Sequence, residues 1–384
     1  MLWEQRIGGS NPLSPTILGQ TRRCGKINRS GLSDRLCRLL FGVKLETSVP
    51  GPSAHIAVVI PCFRVTGHIC AVIAAIGPEV RTIIAIDDAC PDRSGDFIES
   101  NCDDPRLTVI RHPVNKGVGG AVITGYRAAL RAGAEIVVKV DGDGQMDPTL
   151  IPFIAGPVMF GRADYAKGNR FHSIWNVRQM PRTRLFGNAA LSFLTKLSSG
   201  YWSVFDPTNG YTAIHAAALE RLEFGNISER YFFETDMLIN LGNIRAVVAD
   251  VPMAARYGDE TSHLKIGQVI GQFLTKNVRE LTKRVLYTYF LRDFSLASAQ
   301  LLLGSAMMGF GTLFGAIGWY NSVHSGSAAT TGTVMLATLP IILGFQLILG
   351  FLGFDMTNEP RHPLQTDRAA GEWARLHRRS GALA

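Results

Sequence analysis

Between Phe294 and Phe354 the 384-residue chain has no aspartate, glutamate, lysine or arginine. That absence excludes a water-facing helical surface over the stretch, because such a surface needs a polar side. Cysteine is scarce and unpatterned. The six (Cys24, Cys37, Cys62, Cys70, Cys90 and Cys102) form no CxxC pair and no His/Cys cluster at zinc spacing. This excludes a zinc ribbon and a disulfide-dense secreted scaffold, and makes reduced, cytosol-facing thiols the expectation. An apolar signal segment near Met1 is also lacking. Acidic residues are outnumbered, 31 against 39 lysines and arginines, for a formal charge of +8. Such an excess suits nucleic acid, an anionic membrane surface or a phosphorylated substrate. Position decides among them: the basic groups cluster beside the uncharged stretch, so nucleic acid is not expected as a partner.

The uncharged stretch divides into two apolar spans, about Leu296–Tyr320 and about Gly332–Phe354, around a turn with Asn321, Ser322, His324, Ser325, Gly326 and Ser327. At a rise of ~1.5 Å per residue, ~20 residues cross a ~30 Å hydrocarbon core, so each span suffices. Lys276, Arg279, Lys283, Arg284 and Arg292 precede the first span, and Arg361, Arg368, Arg375, Arg378 and Arg379 follow the second. The turn has no lysine or arginine, so the positive-inside rule puts both ends in the cytoplasm. Gly311 and Gly315 form a small-xxx-small face for pairing the spans, and Pro340 is a kink site in the second. Just upstream, Leu264–Phe290 carries Ile266, Val269, Ile270, Phe273, Val278 and Leu281 at helical spacing among lysines and arginines. This predicts amphipathic helices that lie at the lipid headgroups, pack on the preceding domain, or do both on different faces.

From Ala54 onward, apolar runs (His55–Ile60, Thr82–Ile86, Leu107–Ile110, Ile136–Val140) alternate with helix-like segments (Ile69–Ile76, Val118–Ala132). This is the βαβ rhythm of an α/β, mostly parallel, Rossmann-like sheet, which binds ligands at the carboxyl ends of its strands. Three runs end there in chemistry: Pro61, Asp87-Asp88, and Asp141-Gly142-Asp143-Gly144-Gln145. Asp141 and Asp143, with Gln145 as a third oxygen donor, can converge on a hard divalent ion that neutralises a diphosphate. An EF-hand is excluded, since Met146 and Pro152 stand where that loop needs Gly and Glu. Asp87 and Asp88 can hold a nucleobase N–H or a ribose hydroxyl, or simply cap the next helix, with Asp92 as its expected cap. Lys116 and Gly117 open a helix whose N–H groups face a phosphate or ribose. A dinucleotide-binding reading of that glycine loop is disfavoured, because the loop lies outside the first βα unit.

Val59-Ile60-Pro61, Ile86-Asp87-Asp88, Asp92, Asn115-Lys116-Gly117 with Gly119-Gly120-Ala121, Asp141 to Gln145, Gly168-Asn169-Arg170 and Asp206 to Tyr211 occur in an order that closely resembles the family-2 glycosyltransferases. With its two-span tail the chain is most similar to the polyprenyl-phosphate and dolichyl-phosphate members. The resemblance covers roughly Ala54–Asp293. It implies a GT-A fold, inverting transfer from a nucleotide-sugar of UDP- or GDP-hexose type, and a requirement for Mg²⁺ or Mn²⁺. It also implies that Pro61, Asp87 and Asp88 line the nucleoside pocket, and that Asp141, Asp143 and Gln145 serve the metal and donor diphosphate. Arg170 and one of Arg182 and Arg184 would meet donor and acceptor phosphates, and Asp206 would sit near the sugar. Asp236 takes the acceptor-side position, with Glu234 as its rival. One departure stands out: the acidic residue that usually follows the Ile-Pro step is missing from Cys62-Phe63-Arg64-Val65-Thr66.

The expected organisation is a basic, poorly ordered extension over 1–53 with a short amphipathic stretch at Leu36–Val43, and a GT-A domain over 54–258. Juxtamembrane helices over 259–294, a transmembrane hairpin over 295–355 and a basic cytoplasmic tail over 356–384 complete it. The expected partners are a nucleotide-sugar, a polyprenyl phosphate or other lipid acceptor and the bilayer, with a homo-oligomer formed through the tail. Three competing readings are transfer to a hydroxyl of a lipid-linked saccharide, a non-catalytic membrane scaffold, and a processive synthase. Intact Asp141, Asp143 and Gln145 argue against the scaffold. The synthase would need more spans and a Gln-x-x-Arg-Trp motif absent around Gln272.

Overall fold

The computed structural model describes residues 54–172, 182–253 and 266–366, all within one compact unit. The extension over 1–53 with Leu36–Val43, residues 173–181 and 254–265, and the chain from 367 lie outside them. So do the side chains of Arg182 and Arg184, although their backbone begins a helix.

Among the described residues, seven strands form one sheet: β1 (Ile56–Cys62), β2 (Val80–Asp87), β3 (Leu107–Arg111), β4 (Ile136–Lys139), β5 (Tyr165–Asn169), β6 (Thr212–His215) and β7 (Val248–Pro252). They lie in the order β3-β2-β1-β4-β6-β5-β7. Every pairing is parallel except the two made by β6, which runs against β4 and β5. The helices are α1 (Ile69–Ala74), α2 (Ser94–Asn101), α3 (Val118–Arg131), α4 (Ile151–Met159), α5 (Arg182–Ser199), the one-turn α6 (Ala216–Leu219), α7 (Phe233–Asn243), α8 (Ile266–Leu286), α9 (Leu296–Ser325) and α10 (Thr331–Thr357). The four strands read from the apolar runs are β1 to β4, and the two helices are α1 and α3.

β1 shows why its run is continuous rather than alternating: both faces of the sheet are covered. Ile56, Val58 and Ile60 join one buried layer with Ile69, Val72 and Ile154. Ala57 and Val59 point the other way, into a layer with Val122, Tyr126, Met237 and Leu238. Gly125 of α3 packs where a Cβ would strike the Val59 side chain, so the helix comes close to the sheet.

Cys70 and Cys102 form a disulfide between α1 and the residue after α2, Cα–Cα 5.8 Å. This corrects the expectation of uniformly reduced thiols. The two sequences carry no pairing signal because topology alone, through parallel β1–β2–β3 crossovers, brings these helix ends together. Cys62 and Cys90 are free and buried.

α8 is one 21-residue helix rather than several, continued by a π-helical turn over Tyr287–Arg292. α9 and α10 are long and apolar enough to cross a membrane, with mean hydropathy 1.6 and 2.2, and only 11% of each apolar window is buried in the protein. A soluble core helix would be mostly covered, so these helices face an apolar environment outside the chain. Their mutual contact is made by glycines. A Cβ on Gly311 would lie 2.7 Å from the Ala337 carbonyl, and one on Gly344 would lie 2.7 Å from the Gly304 carbonyl. The Gly311/Gly315 face is therefore used, and Gly304–Gly344 adds a second close approach.

Beyond α10 the chain returns to the sheet domain. Backbone N–H groups of Leu364 and Gln365 donate to the buried Asp164 carboxylate at 2.9 and 3.1 Å. Both ends of the hairpin are thus fixed to the same domain.

Candidate active site

The carboxyl ends of β1, β2 and β4 open on a cavity of about 670 Å³. Pro61 and Arg64 come from the end of β1, Asp88 follows β2, and Asp141 and Asp143 follow β4; Arg230 and Tyr231 close the far side. Pro61, Asp88, Gly117, Asp141 and Asp143, all singled out in the sequence, therefore share one cavity.

Asp88 is almost fully buried and its carboxylate is heavily used. It accepts the backbone N–H groups of Lys116 (2.9 Å) and Gly117 (2.7 Å) and contacts His112 Nδ1 at 2.8 Å. His112 Nε2 in turn meets Thr124 Oγ1 at 2.9 Å. Lys116 thus engages the site through its backbone, and Asp88 moulds the cavity wall. Gly117 has φ 88°, the left-handed region, and a Cβ there would lie 2.7 Å from the Glu229 carbonyl. Only glycine serves at that position. Asp87 accepts from Cys90 N (2.8 Å) and Gly95 N (2.7 Å), so it supplies the cap of α2. Asp92 was the expected cap. The N-cap residue is instead Arg93, in the left-handed region and without a side-chain cap bond.

Beneath Asp141 lies Lys139, 1% exposed. Its Nζ is 2.9 Å from Asp141 Oδ1 and 3.4 Å from Glu234 Oε1. Burial works against its charge, but Asp141 and Glu234 overcome that and hold its pKa above the usual lysine value. Asp141 Oδ1 makes this ion pair without an aligned hydrogen bond, which leaves lone-pair capacity on a carboxylate at the cavity. Asp143 Oδ1 accepts from Gln145 N at 2.9 Å. The Gln145 side chain lines a neighbouring cavity of about 320 Å³ with Asp147 and Leu150.

A second buried lysine, Lys167, donates to the Asn209 carbonyl. Burial lowers its pKa to about 8. Arg170 and Asp206 hold one another: Nε to Oδ2 is 2.7 Å and Nη2 to Oδ1 is 3.1 Å. Asp206 is fully buried, so this pair fastens the loop after β5 to the loop before β6. The loop then passes close over Asp141, since a Cβ on Gly210 would lie 2.9 Å from Asp141 Oδ2.

The two late acidic residues part company. Glu234 points at Lys139 and joins the Asp141 cluster. Asp236 lines a different cavity and accepts Ser228 N at 2.8 Å; burial raises its pKa.

Sequence reasoning missed Lys139, Arg64, Arg230, Tyr231 and Lys167. Lys139 had a readable signal, since a lysine inside the buried run Ile136–Val140 demands a carboxylate partner. Lys167, inside the buried strand β5, is a lysine of the same kind; Arg64, Arg230 and Tyr231 had no signal, because they lie on loops that close over the strand ends.

Among the described residues, no three His, Cys, Asp or Glu side chains gather closely enough to hold a metal ion by themselves. Two carboxylates lining one cavity nevertheless fit Mg²⁺ or Mn²⁺. Such ions are commonly held by one or two carboxylates, the rest of the shell coming from water and substrate phosphates. Asp141 and Asp143 are the residues that would hold one.

Comparison with known proteins gives a consistent result. Residues 57–223 match the glycosyl transferase family 2. The chain is 35% identical over 152 residues to the UDP-N-acetylglucosamine–dolichyl-phosphate N-acetylglucosaminyltransferase of Methanococcus voltae, over 40% of this chain and 60% of that protein. It is 27% identical over 199 residues to the undecaprenyl-phosphate mannosyltransferase of Micrococcus luteus, over 51% of this chain and 81% of that one. The crystal structure of glucosyl-3-phosphoglycerate synthase from Mycobacterium tuberculosis with uridine diphosphate superposes with a TM-score of 0.47 and 20% identity, covering 60% of this chain and 80% of that one.

Proposed function

We infer, from the match of residues 57–223 to the glycosyl transferase family 2, that the chain transfers a sugar from a nucleotide-sugar to a polyprenyl phosphate at the cytoplasmic face of a membrane crossed by α9 and α10. The observation that carries the reading is the meeting of Pro61, Asp88, Asp141, Asp143 and Arg230 around one cavity at the strand ends. The nucleoside of a UDP- or GDP-sugar would lie along Pro61 and the wall that Asp88 shapes, with its diphosphate toward Asp141 and Asp143. A divalent cation held by those two carboxylates supplies charge neutralisation for the departing diphosphate.

The chain's own groups do the rest. Lys139 fixes Asp141 from below, so the carboxylate is oriented before the donor arrives. Arg64 and Arg230 put positive charge on the cavity rim, where a diphosphate needs it. The Arg170–Asp206 pair holds the loop that carries Gly210 over Asp141, close enough to limit water at the reacting carbon. A phosphate acceptor is already anionic near neutral pH, so its oxygen attacks the anomeric carbon without a strong general base, and the diphosphate leaves on the opposite side. Support for this acceptor comes from the names of the two relatives and from the apolar hairpin beside the domain.

The test incubates membranes containing the full chain with labelled UDP- or GDP-sugars, Mg²⁺ or Mn²⁺ and undecaprenyl phosphate, and measures label in the organic phase. Wild type should incorporate label and Asp143→Ala should lose at least a hundredfold. Equal incorporation by both would refute the role given to Asp143.

A further inference from the structure

A second cavity, of about 660 Å³, lies between α7, α8 and the segment 221–228. It shares no lining residue with the first. The wall between them is the segment Ser228–Phe232: Arg230 and Tyr231 face the first cavity, while Ser228 and Phe232 face the second. Five basic side chains line it against three acidic ones. Two of the basic groups are committed, Lys283 to Glu280 at 2.6 Å and Arg284 to Asp355 at 2.7 Å. That leaves Arg221 and Arg279, and Lys276, which donates to Ser228 Oγ at 3.0 Å over the Phe232 ring but meets no carboxylate in a salt bridge, against Glu223 and Asp236, with the amides of Asn226, Asn240 and Asn243 among them.

The rim at Tyr287 locates the cavity relative to lipid. Around and after it, Leu286, Tyr287, Leu291, Phe294 and Leu296 are exposed large apolar residues leading into α9. An aromatic with a cation over its ring, as Arg292 stands 5.8 Å from the Tyr287 centroid, suits the headgroup level.

We propose that this cavity binds the headgroup of an anionic membrane phospholipid with a polyol substituent, of the phosphatidylglycerol kind. Arg221, Lys276 and Arg279 would meet the phosphate, and the asparagine amides with Glu223 and Asp236 the hydroxyls. The separation from the first cavity is what assigns a resident lipid rather than the acceptor: a phosphate held behind Ser228–Phe232 does not face Asp141. The lipid also has a route to influence the reaction. Asp236 holds Ser228 N, and Glu229 O accepts Gly120 N at 3.0 Å, so the wall is tied to the glycine loop of the first cavity.

Binding is measured on the full chain in detergent by native mass spectrometry with dioctanoyl phosphatidylglycerol, a readout independent of sugar transfer. Failure here leaves the transferase reading intact, and the reverse also holds. Wild type should retain the lipid at least tenfold more tightly than Lys276→Gln/Arg279→Gln, and Lys276→Arg/Arg279→Lys should restore most of the affinity. Both positions are exposed, and unchanged melting temperatures would confirm that the variants are folded. Equal retention by wild type and the glutamine variant would overturn the proposal. So would equal binding of dioctanoyl phosphatidylcholine, equally tight binding of inorganic phosphate, or tighter binding of farnesyl phosphate at the same residues.

Discussion

Lys139 and Lys167 are both buried beside the site, yet they are displaced in opposite directions. Two carboxylates outweigh burial at Lys139, whereas at Lys167 burial prevails and the pKa falls to about 8. Between pH 8 and the ordinary lysine value near 10.5, the folded protein has released the Lys167 proton and the unfolded chain still holds it. Stability contributed by this residue therefore rises with pH across that window. Lys167→Met should flatten that rise, read as melting temperature at pH 7.5, 8.5 and 9.5; an unchanged slope would show that Lys167 keeps its proton. Asp88 gives a second prediction. Truncation in Asp88→Ala strands two half-buried N–H groups and the buried His112, which should cost about 3 kcal/mol of stability. A residue that merely touched the nucleoside would leave the denaturation midpoint unchanged. The sequence offered both roles for the Asp87-Asp88 pair, nucleoside contact and capping. Only the folded chain shows that backbone N–H groups from the loop after β2, from α2 and from the loop before α3 occupy so much of these carboxylates.

At the scale of elements, one carboxylate gathers several groups at the joint between the apolar hairpin and the sheet domain. Asp355, near the end of α10, accepts both Arg284 terminal nitrogens (2.7 and 3.0 Å), Tyr289 OH (2.6 Å) and Trp202 Nε1 (2.9 Å). Arg284 comes from α8 and Trp202 follows α5, so three elements meet at that point. Removing the acid leaves a buried guanidinium unpaired, and Asp355→Ala should destabilise the protein by about 3–5 kcal/mol, measured by denaturation in detergent. Gly344→Leu should separate α9 from α10, because the helix backbones approach too closely for a side chain there. Crosslinking between cysteines placed on the two helices would report it. The spans themselves were legible to within a few residues, since a long uncharged run admits few other structures. The Asp355 cluster was not, because the sequence separation between Arg284 and Asp355 hides a contact that only hairpin closure creates.

For the molecule as a whole, the consequence is orientation. α8 and residues 361–366 both pack on the sheet domain, so a hairpin that crosses a membrane should leave the site and both its flanks on one side and the Ser325–Ser327 turn on the other. In sealed vesicles, Ser327→Cys and Thr366→Cys should react with an impermeant thiol reagent from opposite faces; labelling from the same face would exclude a crossing hairpin.

Composition and periodicity by themselves determined the four alternating strands β1 to β4, the two apolar spans and the strand-end acids, because each is written in local residue order: apolar period, run length and the polar residue that stops a strand. The three-dimensional arrangement alone decided that Lys139 supports Asp141, that Glu234 and Asp236 face different cavities, and that Cys70 meets Cys102. These are contacts between residues far apart along the chain or on opposite sides of a helix, and what fixes them is the closure of the sheet and the return of the chain, which no local pattern encodes.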